Sequence, residues 1–399
     1  MLQCRVCDST NLSLAIDLKN QPLGNIFLTK EEVGQEPFYP LKVVYCHECE
    51  TAQLDHTVKK ETVYDDNTYL SGVTRSLDLH FEKIAHEVDK RFFKKQKLKS
   101  VLDIGSNDGT QLKHFQLMGY EVLGVEATRK IADIANGQGV RTIQAFFNLD
   151  VAKTLPLHFD VINAAGIFFH LEELHSAADA IKLLLKEEGV FVVQFLYMKS
   201  IMANQAFDQI YHEHLLYYTL KTINALLQRH GLSLFDAYHS PIHGGSIIGF
   251  ISHTGKRAPT SRLLDLRAEE ELSGCNKLAA YQELGKKMET LKQTDLAFLK
   301  QKKKEGKTIF GMGAPVKGNT LLNYFGIGEN LLDCLVEKNP LRKGLYSPGM
   351  HLPIVLEDEL KAPPDVYYVL AWNFKEEILK NNRALLDKGV EFYFPINPK

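Results

Sequence analysis

A chain of 399 residues with 45% apolar and 24% charged residues, 27 Gly and 14 Pro has the make-up of a folded protein of about three domains. That composition excludes a disordered chain, a coiled coil and a collagen-like fibre. Lys plus Arg number 47 against 49 Asp plus Glu, a formal net charge of −2, so the basic surplus that nucleic-acid binding needs is lacking.

The first chemistry-bearing residues are two pairs, Cys4-Arg5-Val6-Cys7 and Cys46-His47-Glu48-Cys49. Two residues between thiols form a knuckle that turns both sulfurs toward one ion, and two knuckles supply the four soft ligands of structural zinc. Two disulfides or reduced surface thiols are the alternative, and a cytosolic setting disfavours the former. Four thiolates leave no open position for water, so the role expected is structural. Cys275 and Cys334 stand alone and read as buried small hydrophobes.

From Ser76 to about Gln96, Leu77, Phe81, Ile84, Ala85 and Val88 recur at helical spacing. Strands and helices then alternate. Buried strands are expected at Val101–Ile104, Glu121–Val125, Phe159–Ala164 and Val190–Leu196. Helices are expected near Gln111–Leu117, Arg129–Asn136, Glu172–Leu185 and Leu220–His230. Such alternation implies a parallel sheet covered on both faces. Residues 261–305 read as one or two long charged helices. A second alternation follows, with strands at Thr308–Phe310, Leu332–Val336, Val366–Ala371 and Phe392–Phe394 and helices at Val316–Tyr324 and Lys375–Leu386. The fold class expected is α/β in three units: a zinc-binding module over 1–66, a Rossmann-like cofactor domain over 67–235, and a second Rossmann-like domain over 236–399. No apolar run approaches the ~18–20 residues that cross a bilayer. Met1-Leu2-Gln3-Cys4 has no basic stretch leading into an apolar one. A cytoplasmic protein without membrane contact is therefore expected.

The first glycine turn is Asp103-Ile104-Gly105-Ser106-Asn107-Asp108-Gly109, between a strand and a helix. A dinucleotide fingerprint has glycine where Asn107 stands, and the acid before the turn suits a cation better than a pyrophosphate. Seventeen residues after Gly109, Glu126 ends the next strand, where an acceptor for ribose hydroxyls is expected. S-adenosylmethionine (SAM), with a sulfonium, an amino acid and a ribose, matches that set. The alternative is a turn whose glycines only permit tight packing. Beyond the strand ending near Leu196 comes Tyr211-His212-Glu213-His214, a set that can supply a base near neutral pH and donors for an oxyanion, or form a satisfied polar network. The second turn, Gly311-Met312-Gly313-Ala314-Pro315-Val316-Lys317-Gly318-Asn319, is neither a Walker loop nor a clean dinucleotide fingerprint. Its helix N–H groups and Lys317 suit a diphosphate. A degenerate turn without a ligand is the alternative.

Taken together, Gln21-Pro22-Leu23-Gly24-Asn25, Tyr211-His212-Glu213-His214-Leu215, His243-Gly244-Gly245-Ser246, the second turn with its continuation to Tyr324, Val336-Glu337-Lys338-Asn339-Pro340 and Leu370-Ala371-Trp372-Asn373-Phe374-Lys375 resemble one family. It is the zinc-containing SAM-dependent sugar C-methyltransferases that act on nucleotide-linked 4-keto-deoxyhexoses, and the resemblance spans essentially the whole chain. It implies that His214 is the base beside the ketone. It further implies that Tyr211, Glu213, His170 and Tyr69 position or polarise the keto-sugar. Asp103, Gly105, Asn107, Gly109, Glu126 and Asn163 would hold SAM. His243, Gly313, Ala314, Lys317 and Asn319 would hold the nucleotide sugar, linked to TDP or GDP. Where the family commonly shows Asn-Asn after the fourth strand, this chain has Ala164-Ala165-Gly166, with Asn163 the nearest amide. Carbon 3 is the commoner methylation site in the family and carbon 5 the rarer one. Two other classes stay open at this point, a methyltransferase acting on a macromolecule and a non-catalytic nucleotide-sugar binder, and the oligomeric state is open too, a monomer included.

Overall fold

The computed structural model describes residues 2–64, 70–73, 75–156 and 158–397. Strands β1 (Leu12–Pro22), β2 (Phe38–Cys46) and β3 (Ala52–Leu54) form an N-terminal antiparallel sheet. Leu12 pairs with Cys46 and Pro22 with Phe38, so the knuckles lie at one end of the hairpin and residues 23–37 at the other, about 30 Å away.

The central sheet contains β4 (Lys99–Ile104), β5 (Tyr120–Glu126), β6 (Thr142–Gln144), β7 (Phe159–Ala165) and β8 (Leu185–Leu196). The short strand β9 (Leu216–Tyr217) then leaves this unit to pair with β3 and complete the N-terminal sheet. Expected module boundaries therefore do not separate the first two units cleanly. Two further strands, β10 (Leu232–Ser240) and β11 (Ser246–His253), return to the central sheet, whose order is β10-β11-β8-β7-β4-β5-β6. Only β11 runs against its neighbours. Residues 101–104 of β4 and 189–196 of β8, apolar but for Asp103, Gly189 and Gln194, are buried on both faces, as helix-covered strands must be. The boundary expected at 235/236 falls inside β10, and residues 236–253 belong to this sheet. The stretch His243-Gly244-Gly245 is a tight turn between β10 and β11 of one sheet.

Helices Ser261–Ser273 and Leu278–Lys304 follow as expected, parted at Gly274. The C-terminal unit has β12 (Ile309–Met312), β13 (Cys334–Glu337), β14 (Ile354–Leu356), β15 (Val366–Val369) and β16 (Glu391–Tyr393), all parallel, in the order β14-β13-β12-β15-β16. Strand β14 has no signal in the sequence reading. The helix expected over 375–386 is two shorter ones that meet at Asn382.

Hydrogen bonds join the three units. Glu270, 2% exposed, accepts from Tyr197 Oη (2.9 Å), the Leu220 and Lys221 amides (2.7 and 3.0 Å) and Asn276 Nδ2 (3.0 Å). It thereby fastens the long helices to the central unit. At the far end of the first hairpin, Leu28 and Tyr346 exchange backbone bonds at 3.0 and 2.8 Å, and Glu36 accepts from the Gly349 amide (2.9 Å) and pairs with His351 Nε2 (2.6 Å). The module thus rests its knuckle end on the central unit, with Asp8 against Arg229, and its tip on the C-terminal unit. Glu270→Ala is expected to lower stability by about 3 kcal/mol in chemical denaturation, because buried donors lose their shared acceptor. A loss below about 1 kcal/mol would show that other contacts hold this joint.

Candidate functional site

Each knuckle brings two sulfurs to one point. The ligand atoms of Cys4, Cys7, Cys46 and Cys49 all lie within 4.8 Å of one another, with Cys4–Cys49 and Cys7–Cys46 at 3.5 Å. A tetrahedral zinc with bonds of about 2.3 Å needs sulfurs about 3.8 Å apart, so the donor set fits. His47 turns its Nε2 to Ser13 Oγ at 2.7 Å and is outside the cluster. With four thiolates the shell is closed, and none of the four cysteines lines the cavity described next.

A cavity of about 890 Å³ runs between the three units. One part of its wall is the end of the central sheet. Gly105 (φ +68°) leaves the backbone bare there; a Cβ would come within 2.8 Å of Ile167. Asn107 and Glu126 line the same region, and Glu126 accepts from the Asn107 and Thr128 amides at 3.0 and 2.9 Å. Burial raises the carboxyls of both Glu126 and Asp103, and the Glu126 charge adds to the effect on Asp103. A cationic ligand would relieve both acids, so the donor set fits SAM, whose reacting group is a methyl on a positive sulfur. Ala165 and Gly166 line the wall without side-chain amides, and a Cβ at Gly166 would meet nothing within 4 Å.

The middle of the cavity carries the Tyr-His-Glu-His segment. His214, 3% exposed, has Nδ1 at 2.7 Å from the Gln209 carbonyl, which assigns the proton to Nδ1 and leaves Nε2 as the acceptor. Burial, then the neighbouring His170, holds this imidazole well below the ordinary histidine range. The Tyr211 ring lies 3.8 Å from it, Phe169 4.6 Å and His170 5.0 Å, between centroids. His170 is itself pushed down to about 4 by burial, with ring bonds to the backbone of Glu213 and Gly166. Glu213 is pushed up to about 7 by burial alone. His212, the other histidine of the segment, turns away to the Tyr39 carbonyl at 3.4 Å.

The remaining wall comes from the C-terminal unit. Gly313, Ala314 and Lys317 line it, and so does His243 from the β10–β11 turn. Lys317 Nζ sits 3.5 Å above the Trp372 ring and has no hydrogen-bond partner among the described residues. Burial lowers its ammonium to about 8, against the pull of Asp208, which leaves it charged at neutral pH. Asp208 in turn accepts from Trp372 Nε1 at 2.7 Å. His243 (φ +57°) is pushed down to about 4, first by burial and then by Lys317.

Eleven of the residues expected at the site therefore meet in one cavity: His214, Tyr211, Glu213, His170, Gly105, Asn107, Glu126, His243, Gly313, Ala314 and Lys317. Four do not line it. Asp103 lies beneath the wall, and so does Asn163, whose amide has no partner among the described residues at either end. Gly109 (φ +80°) packs against Val140, to which a Cβ there would come within 2.9 Å. Asn319 donates its Nδ2 to the Gly24 carbonyl at 2.7 Å at the hairpin tip, and its Oδ1 is buried without a partner among the described residues. Tyr69 lies outside the described residues. The sequence reading did not name Asn25, Lys60, Phe146, Gln194 or Glu337 as site residues, though all five line the cavity. Only Glu337 left a readable sign, an acid ending the second strand of a unit just as Glu126 does.

Three family models match successive stretches of the chain. Residues 4–64 match the family model described as "Putative zinc binding domain", residues 78–236 a methyltransferase domain, and residues 241–397 a C-methyltransferase C-terminal domain. The C-methyltransferase NovU of Streptomyces niveus is 29% identical over 400 residues, which span 99% of this chain and 95% of that protein. An uncharacterized methyltransferase of Alkaliphilus oremlandii is 32% identical over 105 residues, covering 25% of this chain and 46% of that one. Among solved structures, PH0226 of Pyrococcus horikoshii is 16% identical and covers 49% of this chain and all of its own, with a TM-score of 0.37. No helix among the described residues is long and apolar enough to cross a membrane.

Two measurements test the site. Metal analysis is expected to find about one zinc per chain, and Cys46→Ser to lose it together with the folded module; a metal-free, stable wild-type protein would remove the zinc reading. The second concerns Glu213, whose carboxyl is raised from 4.5 to about 7 and so binds its proton more tightly folded than unfolded. Folding stability therefore falls as pH rises through that window. Ligand-free Glu213→Gln, which cannot titrate, should gain on wild type by roughly 2 kcal/mol between about pH 5 and 8. Parallel stability curves for the two proteins would show that burial does not hold the proton.

Proposed function

We propose that this SAM-dependent C-methyltransferase, built around a structural zinc module, methylates carbon 3 of a nucleotide-linked 4-keto-deoxyhexose. The observation that carries the reading is the shared cavity, which puts a neutral buried imidazole between the acid-ended turn of the central unit and the Lys317 turn of the C-terminal unit. Carbon methylation beside a ketone needs a base on a weakly acidic C–H and a donor for the enolate oxygen that results. His214 Nε2 is the base, kept unprotonated at neutral pH by burial and fixed in its tautomer by the Gln209 carbonyl. Tyr211, tilted against that ring at 3.8 Å between centroids, is the donor for the developing oxyanion, and His170 packs on the same imidazole and positions it. The protonated fraction of Glu213 can donate as well.

SAM supplies an electrophilic methyl group, and Gly105, Asn107 and Glu126 are the residues placed to hold it. The chain's own part is to orient the sugar carbon, to take its proton and to keep water from the enolate. Lys317 and the first amides of the helix Val316–Phe325 suit the diphosphate at the other end of the substrate. NovU, a C-methyltransferase by name, supports the choice of carbon as the acceptor atom. The absence of a basic surplus favours a small substrate over nucleic acid.

The test is to incubate the protein with SAM and a panel of TDP- and GDP-linked 4-keto-deoxyhexoses in deuterated buffer. A sugar that gains one methyl on carbon 3, with solvent deuterium exchanged there beforehand, is the expected product. His214→Asn should keep SAM affinity while turnover and deuterium exchange fall about a thousandfold. Near-normal turnover in that variant would exclude His214 as the base. If SAM binds but no sugar gains methyl or deuterium, the substrate reading fails and a macromolecular acceptor takes its place.

A further inference from the structure

Among residues 190–196 of β8 one side chain is polar, that of Gln194, which is 3% exposed and lines the cavity. Its Oε1 lies 2.7 Å from Nε2 of His80, a buried residue of the helix Arg75–Val88. An amide oxygen only accepts, so His80 carries a proton on Nε2 and donates it to this bond. Burial holds the His80 ring toward its neutral form, which has that one N–H to give. With Oε1 committed to His80, Gln194 Nε2 is left as a donor that has no hydrogen bond among the described residues and opens on the cavity. Buried polar groups of folded proteins are hydrogen-bonded. An amide fixed at one end by a buried imidazole and open at the other to a cavity finds its remaining partner in a ligand.

The place of Gln194 in the sheet decides which ligand that is. Gln194 is level with Ala165 of β7, and β7 pairs on its other edge with β4, which runs into the Gly105 turn. Strands lie about 4.8 Å apart, so Gln194 stands about 10 Å from the strand of that turn and about 14 Å from β5, which ends in Glu126. It is displaced toward β11, whose turn with β10 brings His243 to the cavity. The Gln194 carbonyl accepts from the Gly166 amide at 3.0 Å, and the backbone of Gly166 bonds the His170 ring, which packs on His214. The amide therefore sits beside the base and away from the residues placed to hold the ribose of SAM. We propose that Gln194, oriented by His80, donates a hydrogen bond to an oxygen of the methyl acceptor and so selects acceptors that carry an oxygen there. The inference rests on the keto-sugar substrate proposed above, whose ring and hydroxyl oxygens offer such partners.

The test compares wild type with Gln194→Leu and Gln194→Met, which stay close to its volume and remove the amide. The probes are SAM and whichever TDP- or GDP-linked 4-keto-deoxyhexose of the panel wild type methylates. KM for the sugar is expected to rise about tenfold in both variants with kcat within threefold, because the contact forms already on binding. SAM affinity in calorimetric titration should change less than twofold. His80→Phe, which keeps a ring and releases the amide, should raise KM about threefold. An unchanged KM in both Gln194 variants would overturn the proposal, and weaker SAM binding would move the amide to the cofactor and overturn it too. A fall in kcat alone would mean lost alignment of His214 and not a substrate contact. If wild type binds SAM but methylates no sugar of the panel, the substrate class is overturned and the acceptor contact with it.

Discussion

The amide of Asn319 reaches the Gly24 carbonyl at 2.7 Å, and Gly24 lies so close to the first turn of the helix Val316–Phe325 that a Cβ would come within 2.9 Å of the Val316 carbonyl. Without a glycine at that position the tip of the N-terminal hairpin could not settle on the C-terminal unit. The cavity depends on this approach, since its walls come from three units and Asn25 of the hairpin tip is one of them. The zinc knuckles sit at the opposite end of the same hairpin, where β3 and β9 tie it to the central unit. The four-cysteine cluster and the part of the cavity wall formed by Asn25 thus lie at opposite ends of one hairpin.

Burial then sets the charge state of what the cavity holds. The histidines His170, His214 and His243 are all pushed toward the neutral form, each chiefly by desolvation. Asp103, Glu126 and Glu213 are pushed toward the protonated form by the same cause. Lys317 keeps its proton at neutral pH because Asp208 opposes the burial effect, and Trp372 holds Asp208 in place. The result is a low-dielectric chamber with imidazole acceptors in the middle and the cations Lys317 and Arg342 in its C-terminal wall. In such surroundings a hydrogen bond to a developing oxyanion is worth more than in water.

The site also has an internal logic that a list of motifs hides. Each α/β unit contributes a glycine turn after its first strand and a glutamate after its second, yet the two turns differ in sequence. Asn107 and Gly109 stand in one, Ala314 and Lys317 in the other. Acidic surroundings suit a sulfonium, and the lysine would suit the diphosphate of the substrate proposed above.

Much of this was legible from residue types and spacing. The cysteine pairs specify a four-thiolate site because two-residue spacing is a local property of the knuckle. Strands β4, β5, β7 and β8 announce themselves as apolar runs, since helix-covered strands are buried on both faces. Cooperative groups such as His214 with Tyr211 are four residues or fewer apart, so one segment reveals them. Other features were decided only by tertiary structure. Strand β9 joins a sheet more than 150 residues upstream, β10 and β11 extend a sheet across an apparent domain boundary, and the Asn319 amide reaches the Gly24 carbonyl of a hairpin nearly 300 residues away. Sequence pattern reports which face of an element is buried, and through that the fold class and the chemistry at hand. It carries no information on which distant surface does the burying, and that choice fixed the cavity's walls, the shifted ionisation of its residues and the division between contact and support.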